Sequence, residues 1–249
     1  MIKLAGVTKK YDDLVAVDDL TLEVARGEIF GFIGPNGAGK TTTIKMLAGL
    51  LRPSAGRIEI DGKDIASLPE ETKRILGYIP DTPYLYETLS AREFLTFVGK
   101  IYGLSAKDLE ARMQTLFAYF GMDSWAHLRA EEYSHGMRQK VVISSALLHQ
   151  PRVLVVDEPM VGLDPQSAKK VKELFRARSR EGMTLFLSTH TLSVAEELCA
   201  RIGVIHKGKL IACGTVEELR KESGSRSRTL EELYLELTEY TETLLASEI

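Results

Sequence analysis

Apolar residues in this chain follow two spacings. Short consecutive runs, Ile29-Phe30-Gly31-Phe32-Ile33 and Val153-Leu154-Val155-Val156, predict buried strands, and Thr184-Leu185-Phe186-Leu187-Ser188 predicts another strand. Residues 2–7, 15–24 and 57–62 predict strands of mixed pattern. In the second of these, Val15, Val17, Leu20, Leu22 and Val24 alternate imperfectly with polar residues. Leu76 to Pro80 reads as a strand stopped by its proline, and 81–89 is too proline-broken for a regular element. Helical spacing dominates elsewhere. Ser90 with Glu93 forms a capping box ahead of Phe94, Phe97, Val98, Ile101 and Tyr102. Ser105 with Asp108 opens a second helix carrying Leu109, Met113, Leu116, Phe117 and Phe120. Both stripes are taken as packing faces of a small helical subdomain inserted into the body.

An apolar helix then runs to Leu148, and further helices are expected from about Pro165 to Arg180 and through Leu192, Ala195 and Leu198. Ile202 to Ile211 turns at Lys207-Gly208-Lys209 as a hairpin. Thr215 with Glu218 caps a short helix, 221–228 is a polar linker, and Thr229 with Glu232 starts a last helix bearing Leu230, Leu233, Tyr234 and Leu237. Strand–helix alternation implies an α/β fold with a parallel sheet and right-handed crossovers, to which the front third adds antiparallel ribbon. No internal repeat or sustained heptad is present.

Composition narrows the picture mainly by exclusion. A formal net charge of −3 gives no reason to expect nucleic acid as a partner. Cys199 and Cys213 are the only cysteines, so no disulfide framework is indicated, and both are expected in the core. No apolar run approaches the roughly 20 residues that cross a bilayer. Residues 1–7 lack the apolar region of a secretion signal. The expectation is a cytoplasmic protein that reaches a membrane only through partners.

The chemistry is anchored at Gly34-Pro35-Asn36-Gly37-Ala38-Gly39-Lys40-Thr41-Thr42, which fits the phosphate-loop pattern G-x-x-x-x-G-K-[ST] between a strand and a helix. Glycines let main-chain N–H groups point inward, and the helix start adds partial positive charge. Lys40 is positioned to reach the β- and γ-phosphates, and the Thr41 hydroxyl to sit on Mg²⁺. The run 153–156 ends in Asp157-Glu158, at the sheet edge where the phosphate loop also lies. Asp157 suits a Mg²⁺ held through water, and Glu158 suits a general base on the attacking water. His190 ends the next strand at the same edge, where it would face the γ-phosphate and hold Glu158 in line. Gly162-Leu163-Asp164-Pro165 makes a turn, a natural place for a carboxylate facing a neighbour. Tyr11, in the loop between the first two strands, is either a half-buried loop aromatic or a platform for a nucleotide base.

In this order the motifs resemble those of the ATP-binding cassette (ABC) family, specifically the separate ATPase subunit of a membrane transporter. The likeness runs from Met1 to about Leu219 and rests on the phosphate loop, Tyr133-Ser134-His135-Gly136-Met137, the acidic strand, Gly162 to Pro165 and His190. It implies a P-loop NTPase (RecA-like) core over 1–88 and 150–219, with an antiparallel β subdomain. It also implies a helical subdomain over 89–149 and a linker and helical tail over 220–249. ATP and Mg²⁺ are the implied ligands. By resemblance Tyr11 stacks on adenine, His190 is the switch histidine, and Ser134, Gly136 and Asp164 act on the nucleotide of a second cassette packed head to tail. Two departures stand out. The family pattern is Leu-Ser-Gly-Gly-Gln, so His135 and Met137 replace a glycine and the glutamine, with His135 expected to face solvent. Asp81 occupies a usual glutamine position, from which it would approach Mg²⁺ through water.

The function implied is ATP hydrolysis that drives a substrate through separate transmembrane subunits on the inner face of the membrane, with export suggested by the altered motif and short tail. A soluble ABC ATPase acting on nucleic acid or ribosomes is the alternative. It is disfavoured because no coiled-coil insert and no second cassette are visible. A non-hydrolysing regulatory cassette is disfavoured by the presence of Lys40, Asp157, Glu158 and His190.

Overall fold

A computed structural model of the chain describes residues 1–223 and 229–247; part of the polar linker, 224–228, lies outside the described residues. Two sheets organise it. A four-stranded antiparallel sheet has the order β2-β1-β4-β5, from Ile2–Tyr11 (β1), Leu14–Val24 (β2), Ala55–Ile60 (β4) and Lys63–Asp64 (β5). A six-stranded sheet has the order β10-β9-β3-β8-β7-β6. Its strands are Ile29–Ile33 (β3), Leu76–Ile79 (β6), Val153–Asp157 (β7), Thr184–Thr189 (β8), Arg201–His206 (β9) and Lys209–Gly214 (β10). Within the larger sheet β6, β7, β8, β3 and β9 run parallel, and only β10 is antiparallel, as the second arm of the hairpin.

The continuous apolar runs follow from burial on both faces of this sheet. Along β7, Val153 and Val155 face the core shared with the antiparallel sheet, whereas Leu154 and Val156 face the core shared with the helices. In β8 Phe186 joins the first core and Leu185 and Leu187 the second. Imperfect alternation in β2 has a local cause. The register with β1 slips between the Val7–Leu20 and Lys9–Val17 pairs, where Asp19 takes φ +50°, so Val17 and Leu20 both point inward.

The helical insert comprises α3 (Ala91–Ile101), α4 (Ala106–Phe120) and α5 (His135–Leu147). The Ser90–Glu93 capping box forms as expected, and Ser105 caps α4. The α4 stripe is buried in full. The α3 stripe is a correction: its buried positions are Ala91, Leu95 and Gly99, while Phe97 and Ile101 are 46% and 66% exposed. Small residues let α3 approach its neighbours closely, as where Leu109 closes over Gly99; Phe94 and Val98 of the expected stripe still pack partly buried against the core, while Phe97 and Ile101 turn outward. A short helix α2 (Pro69–Arg74) and strand β5 were not anticipated, and Tyr11 ends β1 rather than lying in the loop.

The remaining elements are α1 (Lys40–Leu47), α6 (Pro165–Arg180), α7 (Leu192–Leu198), α8 (Val216–Ser223) and α9 (Leu230–Ser247). Leu230 and Leu233 of α9 are buried in a core with Ala195, Ile202 and Leu219, next to the strand that leads into the phosphate loop. Replacing a fully buried leucine with alanine costs about 2–5 kcal/mol of packing. In Leu233→Ala, amide exchange across α9 should rise at least tenfold while β3, β7 and β8 keep their protection; equal acceleration in all four would show that α9 does not open separately.

Candidate active site

The parallel register sets the site. Ile33 pairs with Thr189 and Asp157 with Ser188, so three strands end level and hand their next residues to one edge. After β3 the chain turns tightly against the β9–β10 hairpin. A β-carbon on Gly34 would lie 2.3 Å from the Ile205 carbonyl oxygen, and one on Gly39, at φ +109°, 2.5 Å from that of Ala16. Only glycine fits both. The hairpin is fastened to the loop by the Gly208 N–H, which donates to the Ala38 carbonyl at 3.0 Å. At Gly37, φ +80°, a β-carbon would meet nothing within 4 Å, so the loop's middle opens on free space.

That space is lined for an anion. Gly39 is the N-cap of α1 and no side chain caps the helix, so its first N–H groups face outward without a local acceptor. Lys40 is nearly buried, its Nζ donating to the carbonyls of Gly34 at 2.7 Å and Pro35 at 3.0 Å. Burial pulls its ammonium below the usual lysine value, against the attraction of Glu158 and Asp157.

Asp157 is buried. Ser188 Oγ donates to its Oδ1 at 2.8 Å, while Oδ2 is buried with no hydrogen-bond partner. Burial pushes this carboxyl above its ordinary range. The Ser188 and Thr41 hydroxyls pull the other way, and Asp81 and Glu158 add repulsion. A buried carboxylate oxygen without a donor, beside a threonine hydroxyl at a helix start, suits a cation. No group of three or more His, Cys, Asp or Glu poised for a metal occurs among the described residues. The donor set fits Mg²⁺, which is ordinarily held by one or two carboxylates, water and the substrate's phosphates.

Glu158 follows at φ +49°, its N–H donating to the Ser188 carbonyl at 3.0 Å. Its carboxylate is held on both oxygens: Thr189 Oγ1 donates to Oε2 at 3.0 Å, and the His190 N–H and Nδ1 each lie 2.7 Å from Oε1. Glu158 and His190 are thus joined directly, while the imidazole stays largely exposed. Ser188 and Thr189 were overlooked as site residues although they stand beside His190 in Ser-Thr-His. Their signal was a hydroxyl at each of two successive positions where the strand meets an acidic edge.

The other expected residues lie further out. Asp81 is exposed just past β6, accepting from the Thr82 N–H at 2.8 Å, close enough to repel Asp157. Tyr11 is 42% exposed with the Lys9 ammonium 5.1 Å from its ring centroid. Ser134 caps α5 through the Met137 N–H and is exposed. Asp164 caps α6, where both carboxylate oxygens accept from Ser167, at 2.9 and 2.5 Å. The Ser167 contacts hold this carboxyl below its usual value. His135 is exposed as expected, yet its ring lies against Gly162.

A phosphate-binding loop, a buried aspartate and a clamped glutamate on one parallel edge define a P-loop nucleotide hydrolase. The family described as ABC transporter matches this chain over residues 17–161, and the chain belongs to that family as an ATP-binding, ATP-hydrolysing subunit. It is 37% identical to the ABC-type transporter ATP-binding protein EcsA of Bacillus subtilis (strain 168), over 96% of each chain. It is 38% identical to the daunorubicin resistance ATP-binding protein DrrA3 of Streptomyces coeruleorubidus, over 90% of this chain and 71% of that one. A solved ATP-binding subunit of an ABC transporter superposes with a TM-score of 0.91 at 38% identity, covering 96% of this chain and 99% of its own.

The raised Asp157 carboxyl has a consequence for stability. Between its unfolded value and the higher folded one the native state holds the extra proton. This group's stabilisation is therefore full below the unfolded value and is lost as pH rises through the folded one. Asp157→Asn spares the site a buried charge. Its thermal midpoint should exceed that of the unsubstituted protein by at least about 2 °C near neutral pH, with the gap closing in acid. A lower midpoint near neutrality would contradict this.

Proposed function

We propose that this subunit hydrolyses ATP between two cassettes and thereby drives a substrate out of the cell through separate transmembrane subunits. The observation that carries the chemistry is the Glu158 carboxylate, clamped by Thr189 and His190 beside the phosphate loop. In this reading the main-chain amides of 37–42 and Lys40 receive the β- and γ-phosphates, Lys40 exchanging its bonds to Gly34 and Pro35 for phosphate oxygens. Tyr11 stacks on the base. Thr41 and Asp157 would hold Mg²⁺, with Asp81 as a further acidic neighbour, and the bound ion would neutralise charge on the phosphates. Glu158 takes the proton of the attacking water, and His190 keeps that carboxylate oriented.

Ser134 and Gly136 of one cassette close over the nucleotide of the other, as a helix N-terminus with an exposed hydroxyl. Asp164 sits at the same face, though its carboxylate is committed to Ser167, so its main chain is the better candidate for contact across the dimer. Because only the closed pair makes both sets of contacts, ATP binding favours closure and hydrolysis releases it. We read the domain limits as a cassette over 1–219, with α3 to α5 as its helical lobe and α9 as a docked tail.

No helix among the described residues is long and apolar enough to cross a membrane. A membrane partner has a suitable face here: Tyr84, Tyr86, Phe97 and Ile101 are exposed, and Tyr86 packs edge-on against both Tyr84 and Phe97. A cavity of about 330 Å³ lies beside them, lined by residues 83–88 and Arg138. Such apolar surface suits docking of a cytoplasmic helix, which supports a peripheral position at the inner face. Export is favoured by the resistance role in the name of the Streptomyces relative.

Removing a general base typically costs 10²–10⁴-fold. Glu158→Gln should bind ATP, dimerise and lose at least about 100-fold in turnover. Turnover at the unsubstituted rate would remove Glu158 from the role of base. Purification from detergent extracts should bring down a membrane-spanning protein; ribosomes or DNA in its place would favour a soluble ABC ATPase.

A further inference from the structure

The segment from Glu158 to Asp164 is fastened to the first turns of α5 at three points. Gln139 is fully buried, and its Nε2 donates to the Pro159 carbonyl at 3.2 Å. A β-carbon on Gly136 would stand 3.1 Å from the Gly162 carbonyl oxygen, and one on Gly162 would stand 1.9 Å from Nδ1 of His135. The start of α5 therefore lies against residues 159–162 with no slack, immediately after the clamped carboxylate.

Packing alone does not account for an amide here. The Gln139 Oε1 is buried with no hydrogen-bond partner, a cost that a methionine of similar length would avoid, though only by giving up the bond to the Pro159 carbonyl. What the amide supplies is a directional hold on a backbone with few others. Pro159 has no N–H, so its carbonyl is its one backbone hydrogen-bonding group. Glu158, just before it, takes φ +49°, a conformation that a residue with a side chain keeps only where its surroundings impose it. Ser188 holds that turn from the β8 side, through the Glu158 N–H. Gln139 holds it from the α5 side.

We propose that Gln139 is a positioning residue for Glu158, tying the angle of the carboxylate to the seating of α5. The same helix is capped by Ser134, so contact of that end with a second copy's nucleotide reaches the glutamate of its own copy through one hydrogen bond, the close approach of Gly136 to the Gly162 carbonyl and the His135 ring against Gly162. The inference rests on the proposed roles of Glu158 and Ser134. His135, where the family pattern has glycine, strengthens the link by filling the space beside Gly162.

The test compares Gln139→Met and Gln139→Leu with Glu158→Gln in the full chain, assembled with its membrane subunits. Loss of one directional hydrogen bond at the reacting carboxylate predicts a fall in kcat of about tenfold, with the KM for ATP within about twofold. The thermal midpoint should change by no more than about 2 °C, because the orphaned Oε1 is removed while the Pro159 carbonyl loses its donor. Unchanged kcat in both Gln139 variants, or a fall in kcat that merely follows a lowered midpoint, overturns the proposal. Glu158→Gln separates the two levels. If it loses turnover while the Gln139 variants do not, only the Gln139 link fails; if it keeps turnover, the assigned base fails too.

Discussion

The level ending of β3, β7 and β8 is the constraint on which the rest of this molecule depends. Parallel pairing aligns Ile33 with Thr189 and Asp157 with Ser188, so the loop, the acidic pair and the hydroxyl–histidine run emerge together. None of these groups is close to the others in sequence. Slipping one strand by a single residue would turn its apolar side chains to the wrong core and carry its functional residue away from the edge. Two distinct cores, one on each face, make such a slip costly. Precision at the site is thus inherited from burial that is remote from it.

The edge itself is poorly satisfied. Lys40 is nearly buried against carbonyls, Asp157 keeps an orphaned oxygen, and Glu158 sits at positive φ. Each feature works against the folded state when nothing is bound, and in the proposed reading Lys40 and Asp157 acquire partners when a triphosphate and its cation arrive. This is where local rules of stability are expected to fail in a protein built for chemistry.

Much of the arrangement was legible from the residues. The phosphate loop, the acidic strand end and His190 carry rigid local patterns, because short-range backbone geometry dictates them. The caps at Ser90, Ser105 and Thr215 read correctly for the same reason. Reading failed where tertiary packing decides. Helical spacing in α3 fitted either of two faces, and close approach through Ala91 and Gly99 selected the one without Phe97 and Ile101. Tyr11 was misplaced because the tight turn at 12–13 leaves it paired with Leu14. Gln139 carried no signal at all, since its partner is a main-chain carbonyl twenty positions further along the chain.

In the function proposed here, a triphosphate is gripped by main-chain amides of one copy and closed over by the start of α5 from another. A structure determined with a slowly hydrolysed ATP analogue and magnesium tests this most directly. It should show the phosphates along residues 37–42, the metal at Thr41 and Asp157, and Ser134 of the partner subunit at the γ-phosphate. Nucleotide bound away from Lys40, or enclosed by one copy alone, would contradict it.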